Sequence, residues 1–120
     1  MKAAPLVGMH NPPSSSVLEH ALSVVALARP LVESVQRKDR DLASQLRRAI
    51  SSVVLNLAEG FGAAAGNSRL RFETARGSLN EAQTGIRVAV AWGYISPAAS
   101  GEVLESMHLL GGRVYGLVRR

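Results

Sequence analysis

The sequence contains no cysteine, which excludes disulfide bonds and thiolate metal sites. Aromatic residues are also scarce, at 4% of the 120 residues, so the core must be built mainly from aliphatic side chains. No apolar run approaches the roughly 20 residues that a transmembrane helix needs; none is longer than the run at residues 24–28. The length of 120 residues predicts a single domain. The short apolar runs predict no membrane partner, and the lack of cysteine fits a cytoplasmic location.

Acidic residues are the minority charge. The chain has 9 of them against 14 basic residues, which gives a net charge of +5, and arginine supplies most of the positive charge. A basic balance favours nucleic acid as a partner. A GC-rich genome also produces an arginine-rich composition, and in that case the positive charge has no functional cause.

Four segments carry apolar residues at alternating steps of three and four, which is the spacing of an amphipathic helix. No segment alternates with the period of two that strands show. Glycines at positions 60, 62 and 93 mark helix ends. The predicted helices begin at the serines of residues 14–16, at Asp39 or Asp41, at Asn67 or Ser68, and at Ser96 followed by Pro97.

Short connections between amphipathic helices favour antiparallel neighbours. We therefore predict an all-α fold, an antiparallel up-down-up-down four-helix bundle over residues 14–120. Residues 1–13 are rich in proline and glycine and are predicted to form a flexible leader.

The second predicted helix keeps polar residues inside an apolar run. Asn56 and Glu59 stand among valines and leucines close to the end of this helix. A carboxylate near a helix C-terminus is unfavourable against the helix dipole, so a neighbouring cation should compensate Glu59. Arg47, Arg48 and Arg71 are the candidates, and we predict a structural polar network of Asn56, Glu59 and Arg71.

Two blocks of residues resemble a known family. The first is Gln45-Leu46-Arg47-Arg48-Ala49, then Ser52 and Asn56-Leu57-Ala58-Glu59-Gly60. The second is Arg71-Phe72, Ala75, Gly77-Ser78-Leu79, Glu81 and Gly93-Tyr94-Ile95. Together they resemble the small bacterial four-helix-bundle proteins that include the intervening-sequence proteins of large-subunit ribosomal RNA genes. The accessory variability determinant of diversity-generating retroelements belongs to the same group.

The resemblance implies a four-helix bundle that assembles as a ring-like homopentamer. It also implies a basic surface that, in the retroelement members, binds nucleic acid and a reverse transcriptase. The chain is thus expected to bind other copies of itself in a ring. RNA or DNA, and a protein such as a reverse transcriptase, are further expected partners.

One side of the third predicted helix carries groups that suit phosphates and base edges. Arg69, Arg76, Asn80, Gln83 and Arg87 follow one another at steps of 7, 4, 3 and 4. An ordinary solvated flank, or one side of a subunit interface, is the competing interpretation. The helix offers no interleaved aromatic for base stacking, which favours duplex or structured nucleic acid. The predicted nucleic-acid-binding residues are Arg47, Arg48, Arg69, Arg76 and Arg87.

Several large aliphatic residues fall off the main apolar stripes of the helices. In an isolated subunit they would leave apolar patches on the surface, so we interpret them as subunit contacts. The predicted oligomer-interface residues are Leu27, Leu55, Leu70 and Val88.

No pattern of catalytic or ligand-binding residues emerges. The three histidines lack metal-ligand spacing, and no serine sits in a strand-to-helix elbow. The string at residues 60–65 follows a helix, whereas a dinucleotide fingerprint follows a strand. We predict no catalytic residues, no metal and no cofactor.

The sequence therefore predicts a non-enzymatic, oligomeric protein that binds nucleic acid electrostatically through arginine-bearing surfaces. Five copies in a ring would multiply the net charge of +5 fivefold and release counterions from phosphate. The alternative is a protein-interaction adaptor or scaffold that does not contact nucleic acid, and a small enzyme is the third and weakest interpretation.

Overall fold

The computed structural model describes residues 13–120, and within this range it contains four α-helices and no strand. The helices are α1 (Pro13–Gln36), α2 (Arg40–Phe61), α3 (Ala65–Ala91) and α4 (Pro97–Arg119). The prediction of an all-α chain with four helices is confirmed. Among the described residues, no helix is long and apolar enough to cross a membrane. Residues 1–12 of the predicted leader lie outside the described part, and Pro13 is the first residue of α1.

Side-chain caps set the starts of α2 and α4, as the sequence patterns predict. The Asp39 carboxylate accepts a hydrogen bond from the Leu42 backbone N–H at 3.0 Å. The Ser96 hydroxyl accepts from the Ala99 backbone N–H at 3.1 Å, and Pro97 follows it at the first helical position. Each cap satisfies a backbone donor that the first turn of a helix leaves unpaired.

Helix α3 begins at Ala65, earlier than the predicted start at Asn67 or Ser68. The residue before it, Ala64, offers no side-chain cap. The Ser68 hydroxyl instead donates to the carbonyls of Gly60 at 2.6 Å and Ala63 at 3.0 Å. The serine expected to cap α3 therefore satisfies carbonyl groups at the end of α2, and the α2–α3 connection is short.

The helices enclose one aliphatic core. α1 contacts α2 and α4, and α3 also contacts α2 and α4, so each helix touches its two neighbours in a closed cycle. The apolar stripes of all four helices face this core. The largest fully buried side chains are Leu46, Leu57, Leu79, Ile86, Met107, Leu110, Val35, Val103 and Val114.

A polar cluster also joins α1 to α4. The Arg113 guanidinium donates to the Ser16 hydroxyl at 2.8 Å and to Nδ1 of His20 at 3.1 Å. Because Nδ1 accepts this bond, Nε2 carries the ring proton and donates to the Ser106 carbonyl at 3.1 Å. These bonds fix the rim of the α1–α4 contact, outside the apolar core.

Candidate nucleic-acid interface

Two arginines from neighbouring helices lie against one tyrosine on the face formed by α3 and α4. The guanidinium carbon of Arg76, on α3, is 5.0 Å from the centroid of the Tyr115 ring. The guanidinium carbon of Arg119 is 5.5 Å from the same centroid. Tyr115 and Arg119 are four residues apart on α4, which places them on one side of that helix. The ring is 47% exposed, so the cluster is open to a ligand.

The same two helices bring a further pair of arginines to the end of the molecule where α2 runs into α3. Arg69 and Arg120 line a cavity of about 380 Å³ there. Phe61, Phe72 and Leu117 also line this cavity, so it combines two guanidinium groups with apolar side chains. A planar or phosphate-bearing group suits such a combination.

Within the described residues, the four arginines of the α3–α4 face take part in no ion pair. Among residues 13–120 the ion pairs join Arg29 to Glu33 and Arg71 to Glu59. Glu73 lies between Arg69 and Arg76 on α3, but it is exposed and forms neither of those pairs. Clustered guanidinium groups repel one another, and a bound anion would relieve that repulsion.

The predicted arginines do not form one patch. Arg69 and Arg76 belong to the α3–α4 face, and Arg87 is exposed further along α3. Arg47 and Arg48 lie on α2. Arg47 donates to the Gln36 side chain at the end of α1, and Arg48 donates to the Ser44 hydroxyl at 3.0 Å.

The residues predicted to form a polar network lie together between α2 and α3. Nε of Arg71 is 3.1 Å from the Glu59 carboxylate, and its NH1 group donates to the Asn56 side-chain oxygen at 3.5 Å. The Asn56 amide donates to the Ser52 carbonyl at 2.9 Å, and the Ser52 hydroxyl bonds that of Ser78 at 2.8 Å. The Arg71 and Glu59 side chains are 48% and 61% exposed, so their ion pair contributes about 1 kcal/mol at most.

The predicted interface residues differ in exposure. Leu55 and Leu70 are 63% and 58% exposed, and Val88 is 37% exposed. Leu27 is partly buried and packs against the core. The structure therefore leaves Leu55 and Leu70 largely available to another molecule, and Val88 to a smaller extent.

Sequence reasoning missed the aromatic residues of this surface. Tyr115 and Arg119 were detectable from their spacing of four on α4, but their approach to Arg76 needs the relative position of two helices. Sequence reasoning also missed a pair of aromatic residues away from Tyr115. Trp92 and Tyr94 lie at the end of α3, with ring centroids 6.3 Å apart and an interplanar angle of 18°.

The Tyr94 hydroxyl donates to the Asp39 carboxylate at 3.1 Å, which links the end of α3 to the start of α2. Burial, then the hydrogen bond and the negative charge of Asp39, raise the pKa of the Tyr94 phenol above its ordinary value of 10.0. The Tyr94 phenol therefore keeps its proton, and its hydrogen bond to Asp39, to a higher pH than a free tyrosine would.

Within the described part of the chain, no group of three or more histidine and carboxylate side chains could hold a metal ion. The arginines at Tyr115 are cationic, and they suit anionic groups rather than cations.

Comparison with known proteins identifies the family of the chain. Residues 15–116 match the family model described as 23S rRNA-intervening sequence protein. A crystal structure of a protein of unknown function from the S23 ribosomal protein family of Bacteroides thetaiotaomicron is similar, with a TM-score of 0.74 and 14% sequence identity. The alignment covers 91% of this chain and 100% of that one, and at this identity it supports the fold alone. No curated protein matches the chain.

Proposed function

This chain belongs to the 23S rRNA-intervening sequence protein family, and on that premise we propose that it is a non-enzymatic protein that binds nucleic acid through the face of α3 and α4. The observation that carries the proposal is the pair of guanidinium groups, from Arg76 and Arg119, held at one exposed tyrosine. Arg69 and Arg120 extend the positive charge along the same helices. A cytoplasmic location belongs to this proposal and rests on the lack of cysteine.

The mechanism is electrostatic. Each guanidinium presents planar N–H donors that match phosphate oxygens, and each phosphate that it neutralises releases condensed counterions. The Tyr115 ring restricts both side chains before a ligand arrives, which reduces the entropy lost on binding. Such contacts recognise a charged backbone and carry little sequence preference.

Fluorescence anisotropy of labelled duplex DNA and structured RNA, measured across a series of salt concentrations, tests the proposal. With four phosphates engaged, we expect the logarithm of the affinity to fall with the logarithm of the salt concentration at a slope of about −3 to −4. The double variant Arg76→Ala/Arg119→Ala should bind more weakly at low salt and should make the slope shallower by about 2.

Arg29→Ala is the matched control for this experiment. Arg29 is exposed on α1, is paired with Glu33 and lies outside the α3–α4 arginines, so its loss should leave the slope unchanged. Absence of binding at low salt would contradict the proposal. An equal loss of affinity and of slope in Arg29→Ala would contradict it too. Absence of binding would also favour the adaptor interpretation, in which the exposed apolar side chains contact a protein partner.

We propose further that the helices run up-down-up-down. The hydrogen bonds and ion pairs between α2 and α3 support this course. Ser52 meets Ser78, and Glu59 meets Arg71, so residue numbers rise along α2 as they fall along α3. The contacts between α1 and α4 follow the same order. This order is that of antiparallel neighbours.

We propose also that the chain assembles as a homo-oligomer, the ring-like pentamer that the family resemblance implies. The exposure of Leu55 and Leu70, on the two helices that share the polar network, supports a subunit contact there. In light scattering, Leu55→Arg should reduce the mass to that of a smaller species while circular dichroism still reports a helical fold. Leu109→Arg, at a site of similar exposure on α4, should keep the native mass. An unchanged oligomer in Leu55→Arg would remove Leu55 from the interface.

A further inference from the structure

The end of α3 holds an exposed indole ring in a fixed position. The backbone N–H groups of Gly93 and Tyr94 bond the carbonyls of Val90 and Ala89, both at 2.9 Å, which is the Schellman arrangement. It requires a left-handed residue, and Gly93 has a φ of 81°. The turn places Tyr94 against Trp92, whose side chain remains 69% exposed. Trp92 thus presents a flat apolar surface that is supported by a second ring.

The aromatic pair is also anchored to the turn between α1 and α2. One oxygen of the Asp39 carboxylate accepts from the Tyr94 hydroxyl, and the other accepts from the backbone N–H of Leu42. Each oxygen of the carboxylate therefore accepts one hydrogen bond, and together the two bonds join the end of α3 to the start of α2. The ring of Tyr94, beside which Trp92 lies, is therefore preorganised.

Positive charge surrounds this anchor. An open cavity of about 930 Å³ lies between the α1–α2 turn and Tyr94. Its charged residues are four cations and two carboxylates, and one of the carboxylates, Asp39, is already engaged. The lining residues are Gln36, Arg37, Lys38, Asp39, Arg40, Asp41, Ser44, Arg47 and Tyr94.

We propose that this end of the molecule binds an unpaired nucleotide of a single strand, with its base stacked on Trp92 and its flanking phosphates bound by Arg37, Lys38 and Arg40. The proposal rests on the proposed function and adds the class of nucleic acid and a second site. A base has the flat face that stacks on an exposed indole. Trp92 is not itself a lining residue of the cavity, but its ring lies 6.3 Å from that of Tyr94, which is one, so the phosphates beside a stacked base would reach the cations past Tyr94. Bases within a duplex cannot reach such a ring.

The chemistry of the cavity distinguishes this ligand from a second copy of the chain. A subunit contact centred on Trp92 would need an apolar surround, because interface cores are depleted of charged residues. The lining next to the aromatic pair is polar or charged apart from the Tyr94 ring. This assignment differs from the preference for duplexes that helix α3 alone suggests, since the aromatic rings lie where that helix ends.

Trp92 is the single tryptophan of the chain, so its fluorescence reports directly on the site. The full chain is titrated with oligoadenylate single strands of RNA and of DNA, and with a relaxed circular duplex, which has no open base-pair ends. We expect both single strands to quench the emission in a saturable way and the duplex to leave it nearly unchanged. Stronger quenching by RNA than by DNA would add a contact to the 2′-hydroxyl, and equal quenching would assign recognition to base and phosphate.

Two variants separate stacking from charge. Trp92→Leu, followed by anisotropy of a labelled strand, should lose about 5- to 150-fold in single-strand affinity, the range expected for one stacked base. Lys38→Ala/Arg40→Ala should keep the quenching but make the salt dependence shallower by about 0.7 for each phosphate that is no longer bound. Leu109→Ala, which removes an exposed apolar side chain from α4, is the control and should change neither quantity.

The results separate this inference from the proposed function. Duplex binding that depends on Arg76 and Arg119, without quenching of Trp92 by single strands, would overturn the inference alone. Quenching of Trp92 by single strands without duplex binding would support the inference. It would contradict the proposal that the α3–α4 face binds nucleic acid. A smaller assembly mass in Trp92→Leu, together with no quenching of the native chain, would show that a second copy covers the ring and would overturn the inference.

Discussion

Leu79→Ala is expected to lower the free energy of unfolding by about 2–5 kcal/mol, the cost of leaving a cavity in a core that cannot collapse around it. Leu79, on α3, is 1% exposed. It lies among side chains from the other three helices, including Val24, Val53 and Met107, so no single helix can move to fill the space.

Urea denaturation followed by circular dichroism measures this loss. Native and variant chains must be compared at one protein concentration, because the proposed self-assembly would stabilise the folded chain by mass action. Leu22→Ala removes the same atoms from a side chain that is 49% exposed on α1 and should change stability by less than about 0.5 kcal/mol. Similar losses in both variants would show that the core is not closed around Leu79.

Gly60→Ala is expected to destabilise the fold by about 1–2 kcal/mol, although alanine favours a helix more than glycine does. A Cβ atom at Gly60 would contact Cε1 of Phe72 and lie 2.7 Å from Cδ1 of the same ring. Phe72 is 7% exposed and packs against Phe61, so the ring has little room to move. Overpacking of this kind costs about 1–3 kcal/mol, and the helix preference of alanine recovers up to about 1 kcal/mol of it.

The same change at Gly77 provides the matched control. No atom lies within 4 Å of a Cβ placed there, so Gly77→Ala should stabilise the isolated subunit by up to about 1 kcal/mol. Thermal unfolding of both variants should therefore give shifts of opposite sign. Equal shifts would contradict the close approach of Phe72 to α2. A loss in Gly77→Ala that depends on protein concentration would place Gly77 against another subunit.

Much of the fold could be predicted because its determinants are local. The spacing of apolar residues marks a helix wherever it occurs, and Asp39 and the Ser96-Pro97 pair mark helix starts within a few residues. The predicted start of α3 is two or three residues too late, because the Ser68 hydroxyl bonds the end of α2 rather than its own helix. Which groups the Ser68 hydroxyl bonds depends on the geometry of the α2–α3 connection. The residue types alone do not predict that geometry.

The candidate interface was only partly predictable for a related reason. Periodicity placed Arg69 and Arg76 on one side of α3, but it did not indicate that Tyr115 and Arg119 of α4 would lie against Arg76. Contacts between helices depend on their relative rotation, which is set by the whole core. The aromatic pair at the end of α3 had a local signal, a glycine between two aromatic residues, and a prediction of left-handed backbone at Gly93 could have found it.

The contact between α1 and α4 has a consequence for how the chain folds during synthesis. The hydrogen bonds that join these helices connect residues 86 to 97 positions apart. The ribosome releases α1 long before α4 exists, so the apolar side of α1 that α4 covers remains without its partner until α4 has emerged. Contacts over such a distance close last and slowly. In that interval α2 is the neighbour available to shield α1 from aggregation.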